Sequence, residues 1–357
     1  MAEHFHNLRV AEIVPETDEA LSVQFDVPDD LNEAFRFKAG QHLTLRATIG
    51  GEDVRRNYSL CVAPGDGAIK VTVKRITGGV FSNWVGETLR AGDTIEVMAP
   101  HGSFTVPFDA GAAKRYVGIA GGSGITPIMS LIRTALSEEP ASRFTLFYGN
   151  RDSRSVIFLE ALAELKDRYM GRLELFHFLA EEAGDVTLFN GMLDQARCGE
   201  AVDRLVVDPA SIDAWFICGP GPIMDSAESV LVARGIERET IHIERFTAGR
   251  PSAAMAVQMA ALQDEAAGQT IAVTLDGRTR SIAFAGESIL ESALKAGLSA
   301  PFSCKAGVCA TCRAKCTSGK VEMVVQYGLT DEEIVDGYVL TCQAVPVGDG
   351  VAVDYDA

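Results

Sequence analysis

No segment of this 357-residue chain approaches eighteen uninterrupted apolar residues, which excludes the ordinary membrane-spanning helix. Residues Met1 to Val10 carry His4, His6 and Arg9 but no apolar stretch, so no signal peptide is expected and the chain reads as soluble and cytoplasmic. Positive charge is scarce: 32 Lys and Arg stand against 49 Asp and Glu, a formal net charge of −17. Such a surface repels phosphate backbones and anionic lipid, which argues against nucleic acid and membrane as partners and leaves proteins and small molecules. The length exceeds one ordinary core, and at about 150 residues per domain two or three are expected.

A second C-x2-C pair, the usual mark of a structural zinc site, is also missing. What is present is Cys304, Cys309 and Cys312 in a C-x4-C-x2-C array, answered by Cys342. This is the spacing of a plant-type [2Fe–2S] ligand set. The small residues Ala306, Gly307 and Ala310 between the ligands let backbone N–H groups approach the cluster sulfurs. Eight cysteines fit a reducing compartment, where thiols are ligands rather than bridges. Cys316 lies off the pattern and reads as an ordinary small residue.

From Leu8 to Val106 short alternating runs (Leu21–Phe25, His42–Leu45, Ile69–Val73, Thr94–Val97) are separated by turn residues, which predicts a small antiparallel β-barrel. Within it stand Arg56-Asn57-Tyr58-Ser59 and, some twenty residues on, Gly78-Gly79-Val80-Phe81-Ser82-Asn83. An Arg can clamp a phosphate, a Tyr can lie on a flat ring, and a Ser can hydrogen-bond a ring nitrogen. A Gly-Gly turn opening a helix offers N–H groups to a pyrophosphate. Alternatively, Tyr58 is a strand aromatic and the two glycines a hairpin turn.

Between about 111 and 246 the pattern changes. Arg115–Ala120 reads as a buried strand, followed by Gly121-Gly122-Ser123-Gly124-Ile125-Thr126-Pro127 and an apolar helix over Ile128–Leu136. The turn lacks both the G-x-G-x-x-G order of the common dinucleotide fingerprint and the Lys of a P-loop, which weakens ordinary dehydrogenase and ATPase readings. Further strands at Phe144–Tyr148, Leu173–Leu179 and Ala214–Cys218 alternate with helices at Phe158–Tyr169 and Pro222–Arg234, predicting an α/β parallel sheet covered on both faces. Ligands on such sheets bind beyond the carboxyl ends of the strands. Gly121-Gly122, Gly149-Asn150-Arg151 and Cys218-Gly219-Pro220 all fall there. Cys218 also reads as a buried strand residue, and Arg151 and Arg154 as either 2′-phosphate partners or solvated charges.

Residues 247–268 show neither alternation nor caps and read as a linker. A hairpin around Asp276-Gly277 and a helix capped by Ser288 then lead into the cysteine loop. Asp331-Glu332-Glu333 and Asp336 read as a solvated face or as an acidic docking patch.

Arg56-x-Tyr58-Ser59 resembles the flavin motif of the ferredoxin–NADP reductase superfamily, and the Gly-Gly segment resembles its pyrophosphate loop. The resemblance implies a multidomain protein: an FAD-binding β-barrel (1–110), an NAD(P)H-binding α/β domain (111–246), the linker, and an α+β ferredoxin domain of β-grasp type (269–357). It implies that Arg56 binds flavin phosphate, Tyr58 packs on the ring, Ser59 sits near N5, and Asn57, Val73, Lys74 and Arg75 run alongside. Gly79, Val80, Phe81, Ser82 and Asn83 would cradle the pyrophosphate, favouring FAD over FMN. Gly122, Ser123, Gly124 and Thr126 would meet NADPH or NADH, Cys218, Gly219 and Pro220 would border the nicotinamide, and Phe246 would cover the flavin or simply pack. His101-Gly102-Ser103-Phe104 resembles the stretch that closes the barrel. The whole order resembles reductase components of bacterial multicomponent oxygenases, those of phenylacetyl-CoA epoxidase first, and those of Rieske oxygenases such as steroid 9α-hydroxylase. It implies an enzyme passing electrons singly to an oxygenase. A redox sensor, which would need no dinucleotide site, is the reading from another class.

Overall fold

The computed structural model describes residues 5–247 and 253–357, which fall into two units, Phe5–Glu244 and Arg245–Ala357. In the first unit, β1 (Phe5–Thr17), β2 (Ala20–Asp26), β3 (His42–Ile49), β4 (Glu52–Ser59), β5 (Ile69–Lys74) and β6 (Thr94–Met98) form one antiparallel sheet in the order β4-β3-β6-β1-β2-β5. A bridge between Leu60 and Val71 joins its two edges, the closure expected of a barrel. The core follows from alternation: Leu43 and Leu45 of β3 and Val71 and Val73 of β5 are wholly buried because successive side chains of a strand point to opposite faces. Helix α1 (Val80–Glu87) closes one end, burying Phe81 and Val85.

The rest of this unit is a parallel sheet in the order β11-β10-β7-β8-β9, from β7 (Arg115–Gly121), β8 (Arg143–Asn150), β9 (Leu173–Leu179), β10 (Ala214–Cys218) and β11 (Ile241–Glu244). Four helices accompany it: α2 (Ile125–Glu138), α3 (Leu159–Arg168), α4 (Gln195–Leu205) and α5 (Gly221–Ala233). Helix α2 starts three residues earlier than the sequence suggested, because the glycine turn runs into it through one 3-10 turn. Pro127 is tolerated there, since first-turn N–H groups have no helical partner. The Ser130 hydroxyl on α2 donates to the Val62 carbonyl of the barrel at 2.6 Å, and Cys61 and Phe104 share one core with Tyr116 and Phe216.

In the second unit α6 (Ala253–Ala266), β12 (Thr270–Leu275), β13 (Arg278–Ala283), α7 (Ile289–Lys295), β14 (Arg313–Met323), α8 (Asp331–Val335), β15 (Tyr338–Leu340) and β16 (Ala344–Asp354) build a mixed sheet in the order β13-β12-β16-β14-β15. Ser288 caps α7 as expected, accepting from the Glu291 N–H at 3.2 Å. The expected linker is corrected: most of it is α6. Its Ala-, Met- and Gln-rich sequence favours helix, but apolar residues surround it, so no periodic signal marks it. Ala266 is buried in the ferredoxin core, Met259 and Leu262 pack against it, and Gln263 donates to the Glu287 carbonyl at 2.7 Å. Positions 248–252 of the expected linker lie outside the described residues. The acidic run forms α8, where Thr330 caps Glu333 and Glu333 pairs with Arg313.

Candidate active site and cluster loop

Strand β4 presents the flavin motif on two faces. Arg56 is exposed, its guanidinium donating only locally, to the Arg55 carbonyl at 2.7 Å. Tyr58, two residues on and so on the same face, packs against Phe81 with ring centroids 5.9 Å apart; burial raises its phenol far above the usual range. On the other face Asn57 and Ser59 enter a polar network. The Asn57 amide meets His42 Nε2 at 3.1 Å, the Thr44 hydroxyl donates to Asn57 Oδ1 at 3.0 Å, and the Ser59 hydroxyl reaches Glu244 Oε2 at 3.4 Å.

At the Gly-Gly turn the residues fit a pyrophosphate. A Cβ at Gly79 would press on the Ser82 hydroxyl and the Ile76 side chain, so a larger residue there would force these side chains to shift. Val80 is exposed, leaving the helix N-terminus accessible. Phe81 and Ser82 are buried and turn their side chains inward, and Asn83 donates to the Ile76 carbonyl at 3.2 Å; these three have backbone rather than side chains to offer. The Val73 side chain likewise lies in the barrel core, while Lys74 and Arg75 pair with Glu19 and Glu87.

The nucleotide turn is equally constrained. Gly122 adopts φ +49 and its carbonyl accepts the Tyr148 hydroxyl at 3.0 Å. Thr126 spends its hydroxyl on the Ser123 carbonyl at 3.0 Å. A Cβ at Gly124 would overlap the Cys218 carbonyl, and one at Gly219 would stand 2.8 Å from the Gly121 nitrogen, so β7 and β10 approach backbone to backbone at their carboxyl ends. A Cβ at Gly121 would lie 2.7 Å from Pro220 Cδ, which seals the same end. Cys218 is wholly buried, and burial, then the nearby Glu244, push its thiol well above the usual range. Arg151 pairs with Glu19 at 3.6 Å and Asp152 at 3.3 Å, whereas Arg154 is 87% exposed and 4.0 Å from Asp152.

Glu244 is the residue that sequence reasoning missed. The β10–β11 register sets it beside Cys218, and it reaches back to Ser59 and to His42 Nδ1 at 3.5 Å. Burial pushes its carboxyl up to about 8, partly offset by the Ser59 hydrogen bond. Phe246 belongs to the other unit and is 39% exposed.

In the second unit the cysteines associate two and two, Cys304 with Cys309 and Cys312 with Cys342. This two-and-two association suits two irons, each taking two thiolates. The Ala306 N–H points at Cys304 Sγ at 3.3 Å and the Cys304 N–H at Cys309 Sγ at 3.5 Å. Within each pair the shared hydrogen bond holds one thiol, Cys304 or Cys342, below the usual range and pushes its partner, Cys309 or Cys312, well above it. Lys305 and Ala310 take positive φ, 52 and 56, the cost of wrapping the loop.

Barrel, glycine-rich nucleotide turn and thiolate loop in one chain define an NAD(P)H-dependent flavin and iron–sulfur oxidoreductase. Family models agree: oxidoreductase FAD-binding domain over residues 8–106, oxidoreductase NAD-binding domain over 119–229, and 2Fe-2S iron-sulfur cluster binding domain over 273–347. The chain is 44% identical to one of the subunits of 1,2-phenylacetyl-CoA epoxidase of Escherichia coli, over 99% of this chain and 98% of that one. It is 40% identical to the ferredoxin reductase component of 3-ketosteroid-9-alpha-monooxygenase of Mycobacterium tuberculosis over 100% and 97%. Among solved structures, phthalate dioxygenase reductase shares the fold with a TM-score of 0.59, at 23% identity and 98% coverage of both chains. The chain belongs to the oxygenase reductase components of the ferredoxin–NADP reductase superfamily, with FAD, a nicotinamide dinucleotide and a [2Fe–2S] cluster as cofactors. The sensor reading falls with that membership.

Proposed function

We propose that this reductase serves an oxygenase of the phenylacetyl-CoA epoxidase type. The observation that carries the reading is the 44% identity to the epoxidase component over 99% of this chain, a span that takes in the flavin, nucleotide and cluster segments. Bound together, the nicotinamide, FAD and cluster would supply hydride transfer followed by one-electron transfer. The chain's own task is binding and alignment. Arg56 meets a flavin phosphate, Tyr58 the ring and Ser59 its reactive edge, with Asn57 holding the edge's polar partners. The N–H groups following Gly79 take the pyrophosphate, with Lys74 and Arg75 flanking it. The turn Gly122 to Thr126 with Cys218, Gly219 and Pro220 seats the nicotinamide. Arg151 and Arg154 stand at the adenosine end, and Cys304, Cys309, Cys312 and Cys342 hold the cluster. No helix among the described residues is long and apolar enough to cross a membrane, and four thiols kept as ligands suit the cytoplasm.

The 40% identity to the steroid monooxygenase component supports a second reading, a Rieske-type partner. Purified holoprotein with NADH or NADPH, mixed separately with the epoxidase and the steroid oxygenase, decides between them. Epoxide formation with the first partner is the expected result; product with the steroid oxygenase alone would overturn the assignment. At the flavin site, Arg56→Ala is expected to weaken FAD binding roughly 10- to 100-fold, since a charge-assisted hydrogen bond is worth about 1.5–3 kcal/mol. Gel filtration followed by flavin absorbance checks this, and full retention of FAD would remove Arg56 from the site.

A further inference from the structure

Behind Asn57 and Ser59 of the flavin motif lies a largely buried polar cluster, His42, His101 and Glu244, to which binding and alignment assign no task. His42, on β3, is directly opposite Ser59 of β4 in the strand register and is 6% exposed. One of its ring nitrogens is hydrogen-bonded and the other faces a carboxyl group. Thr44 donates its hydroxyl to Asn57 Oδ1, which fixes the Asn57 amide so that its NH2 group faces His42 Nε2 at 3.1 Å. Nε2 is therefore an acceptor, and the imidazole hydrogen resides on Nδ1. Nδ1 in turn faces Glu244 Oε1 at 3.5 Å, while the Ser59 hydroxyl faces the other carboxyl oxygen. Beneath His42, His101 stands edge-on with ring centroids 4.2 Å apart, tied to it by backbone hydrogen bonds in both directions.

We propose that His42 is a positioning residue: its Nδ1–H holds the Glu244 carboxyl against Ser59 and so sets the protonation state of that carboxyl at the flavin edge. The proposal rests on Ser59 facing the flavin. The groups that face Glu244 are His42 and Ser59 from the barrel and Cys218 from β10. Burial lowers His42 to about 4 and His101, whose ring also faces His42, to about 3. Both are neutral at pH 7, so His42 acts on Glu244 as a hydrogen-bond donor and not as a cation. A donor to the ionised form lowers a carboxyl's pKa, and losing it raises the pKa. Ser59 donates to Glu244 at 3.4 Å, whereas His42 Nδ1 stands 3.5 Å from Oε1, just beyond a ring N–H hydrogen bond, and closes to bonding distance when substrates bind.

The sign of the linkage follows. An unfolded Glu ionises near 4.3 and the folded Glu244 near 8, so between these values the native state holds the extra proton. Stability is fully present below the lower value, declines as pH rises, and has lost this contribution above the upper one.

The test uses FAD-loaded holoprotein and follows the infrared band of the neutral carboxyl against pH, together with the melting temperature. Glu244→Gln should abolish the band that titrates near pH 8 and flatten the fall in melting temperature. Two polar substitutions then separate the ring nitrogens: the amide of His42→Asn reaches the Nδ1 position, and that of His42→Gln reaches the Nε2 position. His42→Asn should keep the wild-type midpoint, and His42→Gln should raise it by about one pH unit. Equal midpoints in wild type and both variants, or equal shifts in both, would overturn the proposal, as would a band that survives Glu244→Gln. Loss of FAD from Ser59→Ala and wild type alike would instead count against the flavin site itself.

Discussion

A Cys309→Ser protein is expected to lose the visible absorption of the cluster and all reduction of cytochrome c, while NADH or NADPH still drives ferricyanide reduction at the flavin. Cys309 is 4% exposed, and its sulfur lies with that of Cys304 on one side of the two-and-two arrangement. A serine hydroxyl there stays protonated at neutral pH and is a poor iron ligand, so one iron loses half of its protein ligation. The damage stays local because the ferredoxin core, built around Ile271, Phe284 and Leu340, shares no residue with the barrel core around Leu43 and Val71. Spectra before and after dithionite, with the two acceptor assays, check the prediction. Simultaneous loss of ferricyanide reduction would mean that the flavin cannot work without an intact cluster, contrary to the modular reading.

The second large effect lies at the nucleotide turn. Gly124→Ala is expected to reduce NADH- or NADPH-driven ferricyanide reduction by at least about 100-fold, the usual cost of displacing a bound reactant by about 1 Å. The added Cβ would overlap the Cys218 carbonyl and the Gly219 nitrogen. These are backbone atoms at the end of a central strand and cannot rotate away as a flexible side chain would. The barrel does not depend on this contact, so FAD should stay bound and dithionite should still reduce both centres. Stopped-flow reduction of the flavin by NADH and NADPH measures the effect directly. A rate within a few-fold of wild type would show that the turn does not seat the dinucleotide.

Most strands were legible because their side chains alternate strictly: β2, β5 and β6 lie within one or two residues of their expected bounds. Strand β1 was not, since register shifts between Val10 and Glu12 and between Pro15 and Thr17 break the period of two. Helix α4 left a signal that could have been used: Asp194 caps it by accepting from the Arg197 N–H at 2.9 Å, and Cys198, Ala201, Val202 and Leu205 recur at helical spacing. Motif residues such as Arg56 and Gly124 stood out because each carries its chemistry locally. Glu244 and His42 did not. They are far apart in the chain and meet only through the pairing of β3 with β4 and of β10 with β11, and no local pattern announces a contact of that kind.

Helix α6 bears on which piece of this chain can be inherited or transplanted as a unit. A cut at Gly268, where composition alone puts the border, would remove Ala266, Leu262 and Met259 from the hydrophobic cluster they complete. It would leave an apolar face in water at a cost of about 1.5–3 kcal/mol for each large side chain fully uncovered. The exchangeable ferredoxin cassette therefore starts no later than Ala253, and a recombination joint inside 253–266 would deliver the cluster loop on a damaged core.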